Sequence, residues 1–375
     1  VRWDIFCAVV DNYGDIGVTW RLARQLVSEH GLMVRLWVDD LEVFAHLCPA
    51  LDPHLSIQEY AGVEVRHWAR TWEPVEVADL VIEAFACNLP SEYIQAMAVR
   101  AQRPLWLNLE YLSAENWVSG CHALPSPQVG GLQKFFFFPG FVEGTGGLLR
   151  EAELLAERDC LQADVDGQAT FLAQLGVTRL TQAQLISLFA YENPGLGEWL
   201  DTLASSDRLT QLLVPQGRIL AEVALWFGAQ LVPGDQRQRG NVHVQVLPFM
   251  AQADYDRLLW CCDFNAVRGE DSFIRAQWAG KPLLWHIYQQ EEGAHWDKLH
   301  AFLALYRQGL SASADAALLH SWAAWNAGKG MAQAWEAVQA NWSELHAHAV
   351  RWCSQQAARP DLASALVQFH RNWLS

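Results

Sequence analysis

Two short segments of this chain concentrate residues that can do chemistry. The first is Val10-Asp11-Asn12-Tyr13-Gly14-Asp15-Ile16-Gly17, which sets two carboxylates and two glycines between an apolar run and a helical pattern. The apolar run ends at Val10. The helical pattern is carried by Trp20, Leu22, Ala23, Leu26 and Val27. A strand-to-helix turn of an open α/β sheet lies at the carboxyl edge of the sheet, where ligands bind. Acids held there can take a proton or grip a cation. The same residues also read as structure alone, with Asp15 capping the helix and Asp11 closing the strand.

The second segment runs from Phe264 to Gln277 and repeats that logic. A strand ends, Gly269 turns the chain, and a helix starts near Asp271 or Ser272. Free N–H groups at a helix start, aided by the dipole, hold phosphate. Ser272 can add a hydroxyl and Arg268 can clamp phosphate oxygens with its fork. Glu270 and Asp271 would repel a phosphate and are expected to meet sugar hydroxyls or an acceptor. The competing reading is a capped helix beside a solvated arginine.

The following residues, Ala279 to Glu292, read as a helix end, a glycine stop at Gly280, a strand and a polar loop. Nucleotide-sugar transferases share that order. Tyr288 can bring a hydroxyl to a diphosphate, Gln289 and Gln290 can read a sugar, and Lys281 is expected to face solvent. Two aromatic turns, Phe189 to Pro194 and Leu247 to Gln252, can stack a base, with Gln252 reading its polar edge. Core packing is the competing role for each ring.

Other motifs are weak. Asp39-Asp40 precedes a helical run and reads as a cap. The thirteen histidines lack HExxH spacing, so no metal site is expected. Neither GxSxG nor GxxxxGK[ST] occurs, and Gly144-Thr145-Gly146-Gly147 lacks the dinucleotide fingerprint.

The elements that must position these residues alternate. Strands are expected at 3–10, 33–38, 63–67, 80–85, 105–108 and 134–138, with helices at 15–29, 41–47 and 91–101. Such alternation predicts a parallel sheet covered on both faces. The pattern breaks at a Gly-rich stretch, 143–147, and a single helix is expected over 151–175. A second alternating set follows, with strands at 186–191, 211–214, 242–247, 264–267 and 283–286. Its helices are expected at 197–204, 219–226, 253–260 and 272–278. From 292 onward the chain reads as helical, with Trp322, Trp325, Trp335, Trp342 and Trp352 forming a face on which a tail can cross back over the first domain. The expected organisation is an N-terminal Rossmann-like domain at 1–150, a second one at 151–350, and a helical tail at 351–375, with a cleft between two doubly wound halves.

Composition limits the function classes. A length of 375 residues, 51% of them hydrophobic, is ample for two cores. A formal charge of −16 disfavours nucleic acid as a partner. No run of about 18 uncharged apolar residues occurs, so no membrane span is expected, and no signal peptide is read at the start. Eight cysteines without a CxxC pair suit free thiols in a reducing cytoplasm. Most of the nineteen tryptophans are expected in cores.

The residues of these motifs resemble a known family. Trp3 to Cys7, Val10 to Leu26, Phe189 to Pro194, Val267 to Phe273 and Trp285 to Glu292 closely resemble EarP, the bacterial arginine rhamnosyltransferases of translation elongation factor P. The likeness runs essentially end to end. It implies a GT-B fold and an inverting, metal-independent transfer from dTDP-β-L-rhamnose. The donor would bind mainly to the C-terminal half, and no cofactor is implied. The acceptor would be an arginine at a loop tip of elongation factor P, presented to the N-terminal half. Its modification would equip the factor to rescue polyproline-stalled ribosomes.

Carried onto this chain, the resemblance makes Asp15 the general base and Asp11 its partner in holding the guanidinium, with Glu270 near the reacting centre. Phe189 and Phe249 would embrace the thymine. Gln252, Arg268, Asp271, Ser272 and Tyr288 would hold the nucleotide and diphosphate. Tyr13, Gly14, Gly17, Tyr191 and Asn193 complete the donor-binding set. Two alternatives stay open: a GT-B transferase using another nucleotide sugar on a small-molecule acceptor, and a catalytically silent module that docks the factor.

Overall fold

The structure, a computed structural model, describes residues 1–10 and 13–375. The chain divides into two compact units, Val1–Ala152 together with Gln356–Ser375, and Glu153–Gln355.

In the first unit the described strands are β1 (Arg2–Cys7), β2 (Met33–Val38), β3 (Ile57–Tyr60), β4 (Val63–His67), β5 (Leu80–Ala84), β6 (Leu105–Leu109), β7 (Pro125–Pro127) and β8 (Gln133–Phe137). They form one sheet in the order β3-β4-β2-β1-β5-β6-β8-β7. The inner pairs are parallel, whereas β3 and β7 are antiparallel edges. β5 and β6 are buried along their whole length, as a sheet covered on both faces requires. On one face Phe6 stacks on Trp37, with Tyr93, Met97 and Trp106 in the same core. The strand order reverses between β1 and β5. That reversal is a topological switch point, and the chain leaving β1 there is the acidic turn.

In the second unit the strands are β9 (Gln184–Leu188), β10 (Thr210–Pro215), β11 (Gln236–Arg239), β12 (Val242–Leu247), β13 (Phe264–Arg268) and β14 (Leu283–His286). Their order is β11-β12-β10-β9-β13-β14, with only β11 antiparallel among the described pairs. This sheet reverses between β9 and β13. Leaving those strands are the Phe189 turn and the Arg268 turn.

Several expectations need correction. Both sheets are mixed rather than wholly parallel. β11 reads Gln-Arg-Gln-Arg and is exposed throughout, so it carries no apolar alternation. β7 begins and ends on proline, which suits an edge and hides a strand signal. The single helix expected over 151–175 is two, Leu154–Ala163 and Val165–Gln174. Asp164 breaks it by adopting an extended backbone and capping the second helix, its carboxylate accepting the Gly167 N–H at 2.9 Å. The strand expected over 186–191 ends at Leu188, which leaves Phe189 and Tyr191 in the loop. Asp40 does cap its helix, accepting from the Val43 N–H at 3.0 Å.

The late tryptophans do not serve a crossing tail. Trp325 and Trp335 pack on Trp199, Trp322 on Phe302, and Trp352 on Tyr306, all inside the second unit. The returning helix Leu362–Leu374 packs on the first unit through other residues. His370 meets Trp3, and Phe369 meets Phe135 and Phe137. No described helix is long and apolar enough to cross a membrane.

Candidate active site

The first-unit turn fixes Asp15. The helix Gly14–His30 starts one residue before it, with Tyr13 at the cap position and no side-chain cap bond. Asp15 is 2% exposed. Instead of capping, its carboxylate reaches out of the helix. Oδ2 accepts the Val10 N–H at 2.9 Å, and Oδ1 accepts the Tyr111 hydroxyl at 3.0 Å. The capping reading of Asp15 is therefore set aside. Gly17 donates its N–H to the Tyr13 carbonyl at 2.9 Å, which closes the first helical turn. Thr19 locks the same turn by donating to the Asp15 carbonyl at 3.0 Å. Beside it, the Asp39 carboxylate accepts the Val9 N–H at 2.8 Å. Burial pushes the Cys7 thiol well above its usual range, so it stays neutral beside these acids. Asp11 and Asn12 lie outside the described residues.

The second-unit turns converge around Arg268. Its side chain is 6% exposed. The guanidinium carbon lies 4.8 Å from the Phe189 ring centre and 4.7 Å from that of Tyr191. Tyr191 also packs edge-on against Tyr288 at 5.6 Å, and Tyr288 is 46% exposed. Past Gly269, which has φ +60°, the helix Asp271–Trp278 begins with Glu270 at its cap position. The turn is pinned by the Trp285 indole, which donates to the Gly269 carbonyl at 2.7 Å. Gln252 is buried and donates to Asp271 at 3.4 Å. The arrangement presents a cation, aromatic faces and a helix start, a set suited to a nucleoside diphosphate.

A family model described as elongation-factor P (EF-P) rhamnosyltransferase EarP matches residues 3–371. The chain belongs to the EarP family. Protein-arginine rhamnosyltransferases from Pseudomonas putida and Pseudomonas aeruginosa are 64% and 61% identical to it, each over 99% of both chains. A solved EarP structure, from work on EarP-mediated arginine glycosylation of translation elongation factor EF-P, is 49% identical with a TM-score of 0.73 and 99% coverage of both chains. Acinetobacter baumannii MurG is only 12% identical at a TM-score of 0.55 and shares the fold alone. The EarP-family chain is thus a glycosyltransferase of GT-B fold.

Within this EarP-family fold the structure brings together Phe189, Tyr191, Arg268 and Tyr288, with Gln252, Asp271, Ser272 and Glu270 on the neighbouring turns. Phe249 is half-buried in the loop before the helix Gln252–Cys261, and the ring found beside Phe189 is that of Tyr255, at 5.6 Å. Tyr13, Gly14 and Gly17 lie in the first unit with Asp15.

Two residues of the expected donor set have their polar side-chain atoms engaged within the chain. Asn193 is 1% exposed, donates to the Trp325 carbonyl at 2.8 Å and accepts the Gly195 N–H at 2.9 Å. Both ends of its amide brace the loop from within. The Ser272 hydroxyl accepts the Arg268 N–H at 3.1 Å and donates back to the Arg268 carbonyl, closing the turn rather than pointing outward.

Four neighbours were passed over in the sequence. Arg218, paired with Glu192 at 2.7 Å, lies 5.3 Å from the Tyr191 ring centre. His286 is 2% exposed and meets the Tyr191 ring at 5.4 Å. Burial, reinforced by Arg268, pushes its pKa down to about 4, so its ring is neutral at pH 7. Its Nδ1 has no hydrogen-bond partner among the described residues. Tyr255 backs Phe189, and Tyr111 holds Asp15. Arg218 and Tyr111 carried only the signal of position after a strand, which many residues share, whereas His286 ends β14 and Tyr255 lies within the helix Gln252–Cys261. No cluster of three or more His, Cys, Asp or Glu that could hold a metal ion is found among the described residues.

Proposed function

We propose that this enzyme transfers L-rhamnose from dTDP-β-L-rhamnose to one arginine of translation elongation factor P, with inversion and without a metal ion. The observation that carries this reading is the buried, doubly anchored Asp15 carboxylate at the ligand edge of the first sheet, in a chain of this family.

The chemistry explains the residue types. A guanidinium stays protonated, with a pKa above about 12, and its nitrogen lone pairs are delocalised. It becomes a nucleophile only when its fork is oriented and a proton is removed as the C–N bond forms. Asp15 takes that proton, and Asp11 holds the fork. The sugar carbon gains positive charge as the leaving group departs, and Glu270 favours that charge. On the donor side, Phe189 and Phe249 hold the thymine. Arg268, Tyr288 and the start of the helix Asp271–Trp278 meet the charge on the departing dTDP, the task a metal ion performs in other transferases. Attack from the face opposite the leaving group inverts the sugar carbon. The modified factor is the form suited to rescue polyproline-stalled ribosomes. All eight cysteines are free thiols, in keeping with a cytoplasmic site of action.

The test is intact-mass spectrometry of elongation factor P incubated with the enzyme and dTDP-rhamnose. The expected product carries one deoxyhexose on one arginine. No mass change with active donor overturns the reading. Asp15→Asn is expected to abolish transfer while leaving dTDP affinity within about twofold of wild type, since it removes a transition-state role and no ground-state contact to the donor. Calorimetry that shows lost nucleotide binding instead removes Asp15 from the role of base.

A further inference from the structure

We propose that Tyr111 is the positioning residue of the proton-accepting carboxylate, held on station by a strained turn at the end of β5. This rests on Asp15 being the base.

Tyr111 follows β6, two strands from the turn that carries Asp15. Its hydroxyl donates to Oδ1 of Asp15 at 3.0 Å, while the Val10 N–H occupies Oδ2. Two hydrogen bonds, one to each oxygen, fix both the position and the rotation of the carboxylate plane. The tyrosine ring is fixed in turn. It stacks on Phe85 with ring centres 4.3 Å apart and planes 13° from parallel. Phe85 reaches that position in a left-handed backbone conformation at φ +56°, and Ala86 and Asn88 follow at +55° and +57°. Such conformations disfavour residues with a Cβ. Three in four residues, none of them glycine, mark a segment held by its surroundings. The holding contacts are visible. The Phe85 N–H donates to the Leu109 carbonyl at 2.7 Å, and the Ala86 N–H donates to Oδ1 of Asn108 at 3.0 Å. The Asn88 N–H donates to Glu83 at 3.2 Å. The strained turn is thus tied to β5 and β6, and its Phe85 ring is the platform on which Tyr111 rests.

The hydroxyl holds the base in one orientation toward the incoming nitrogen, which lowers the entropy cost of the proton transfer. Other titratable groups near Asp15 are Cys7 on β1 and Asp39 after β2, with Glu110 adjoining Tyr111 in the chain. All of them remain when the hydroxyl is removed, so a change on its removal reports the hydroxyl.

Tyr111→Phe keeps the stacked ring and deletes the donor. The expected result is a five- to tenfold lower kcat, unchanged dTDP affinity and donor KM, and an unchanged melting temperature. Phe85→Leu, which removes the stacking platform but keeps the hydroxyl, is expected to lower kcat by a smaller factor, again at unchanged donor KM. A Tyr111→Phe enzyme with wild-type kcat overturns the proposal. A fall in kcat that accompanies a lower melting temperature or a raised donor KM also overturns it, since the hydroxyl is then only structural. Asp15→Asn in the same assay separates the two levels. If it retains transfer, the identification of the base fails. If it abolishes transfer while Tyr111→Phe behaves as wild type, only the positioning role fails.

Discussion

Arg268 and His286 both meet the Tyr191 ring and answer to different physics. In the proposed donor site, Arg268 would give charge-assisted bonds to phosphate oxygens from a buried position, where such bonds are strong. Arg268→Ala is expected to weaken dTDP binding by about tenfold or more, from the loss of about 1.5–3 kcal/mol, and calorimetry with dTDP alone checks it. Unchanged affinity removes Arg268 from the clamp. His286 is buried as the neutral ring, and its pKa of about 4 in the folded chain lies below the unfolded value of about 6.5. The unfolded state therefore binds the proton first as pH falls. Stability from this residue is fully present above about pH 6.5 and is lost progressively down to about pH 4, roughly 3 kcal/mol in total. Melting curves between pH 7 and 4 should show this slope, and His286→Asn should flatten it. An unchanged slope in the variant means that other groups set the acid response. Burial similarly lowers His122, His348 and His370, so the variant is the discriminating measurement.

At the scale of elements, the proposed donor site is a set of turns at the carboxyl ends of β9, β10 and β13, and small residues decide how closely they approach. Gly217, in the turn after β10, is such a residue. A Cβ there would lie 2.9 Å from Cε2 of Phe189. Gly217→Ala is expected to push the Phe189 ring aside. The dTDP affinity should fall several-fold while the melting temperature barely moves, because the displaced ring is half-exposed. Calorimetry beside a thermal melt checks both. The first strands, most helices and the two functional turns were legible in the chain, because buried parallel strands and amphipathic helices carry strong periodic signals. The edge strands β3, β7 and β11 were not, since an exposed edge needs no apolar alternation. The break at Asp164 was hidden for another reason. One capping residue divides a pattern that is helical on both sides.

For the whole molecule, the return of Gln356–Ser375 to the first unit ties the two ends of the chain into one core. Gly147 marks how tight that junction is. Its φ is +73°, and a Cβ would stand 2.3 Å from the Pro360 carbonyl oxygen. Gln25 reaches across the same junction, donating to the Arg150 carbonyl at 2.7 Å and to Asp361 at 3.1 Å. Gly147→Ala is expected to cost about 2 kcal/mol or more through backbone strain and overlap. Limited proteolysis should then cut the C-terminal segment faster, while dTDP binding to the second unit persists. Equal protection in the variant means that the junction contributes little to holding that segment. The formal charge of −16 does not identify an acceptor by itself.

By itself the sequence determined the class of the molecule. Alternating strands and helices required two doubly wound units, and acids and glycines after the first strand marked a ligand edge. The family resemblance rested on contiguous motifs, which survive without coordinates. Tertiary structure alone decided how each side chain is held at those edges. Asp15 could be a helix cap until its oxygens were seen to accept from Val10 and Tyr111. Nothing local in the sequence showed that backbone engages the polar side-chain atoms of Asn193 and Ser272. The reason is physical. Periodicity reports which face of an element is buried, whereas a hydrogen bond between residues 96 positions apart depends on strand order, and no local pattern encodes it.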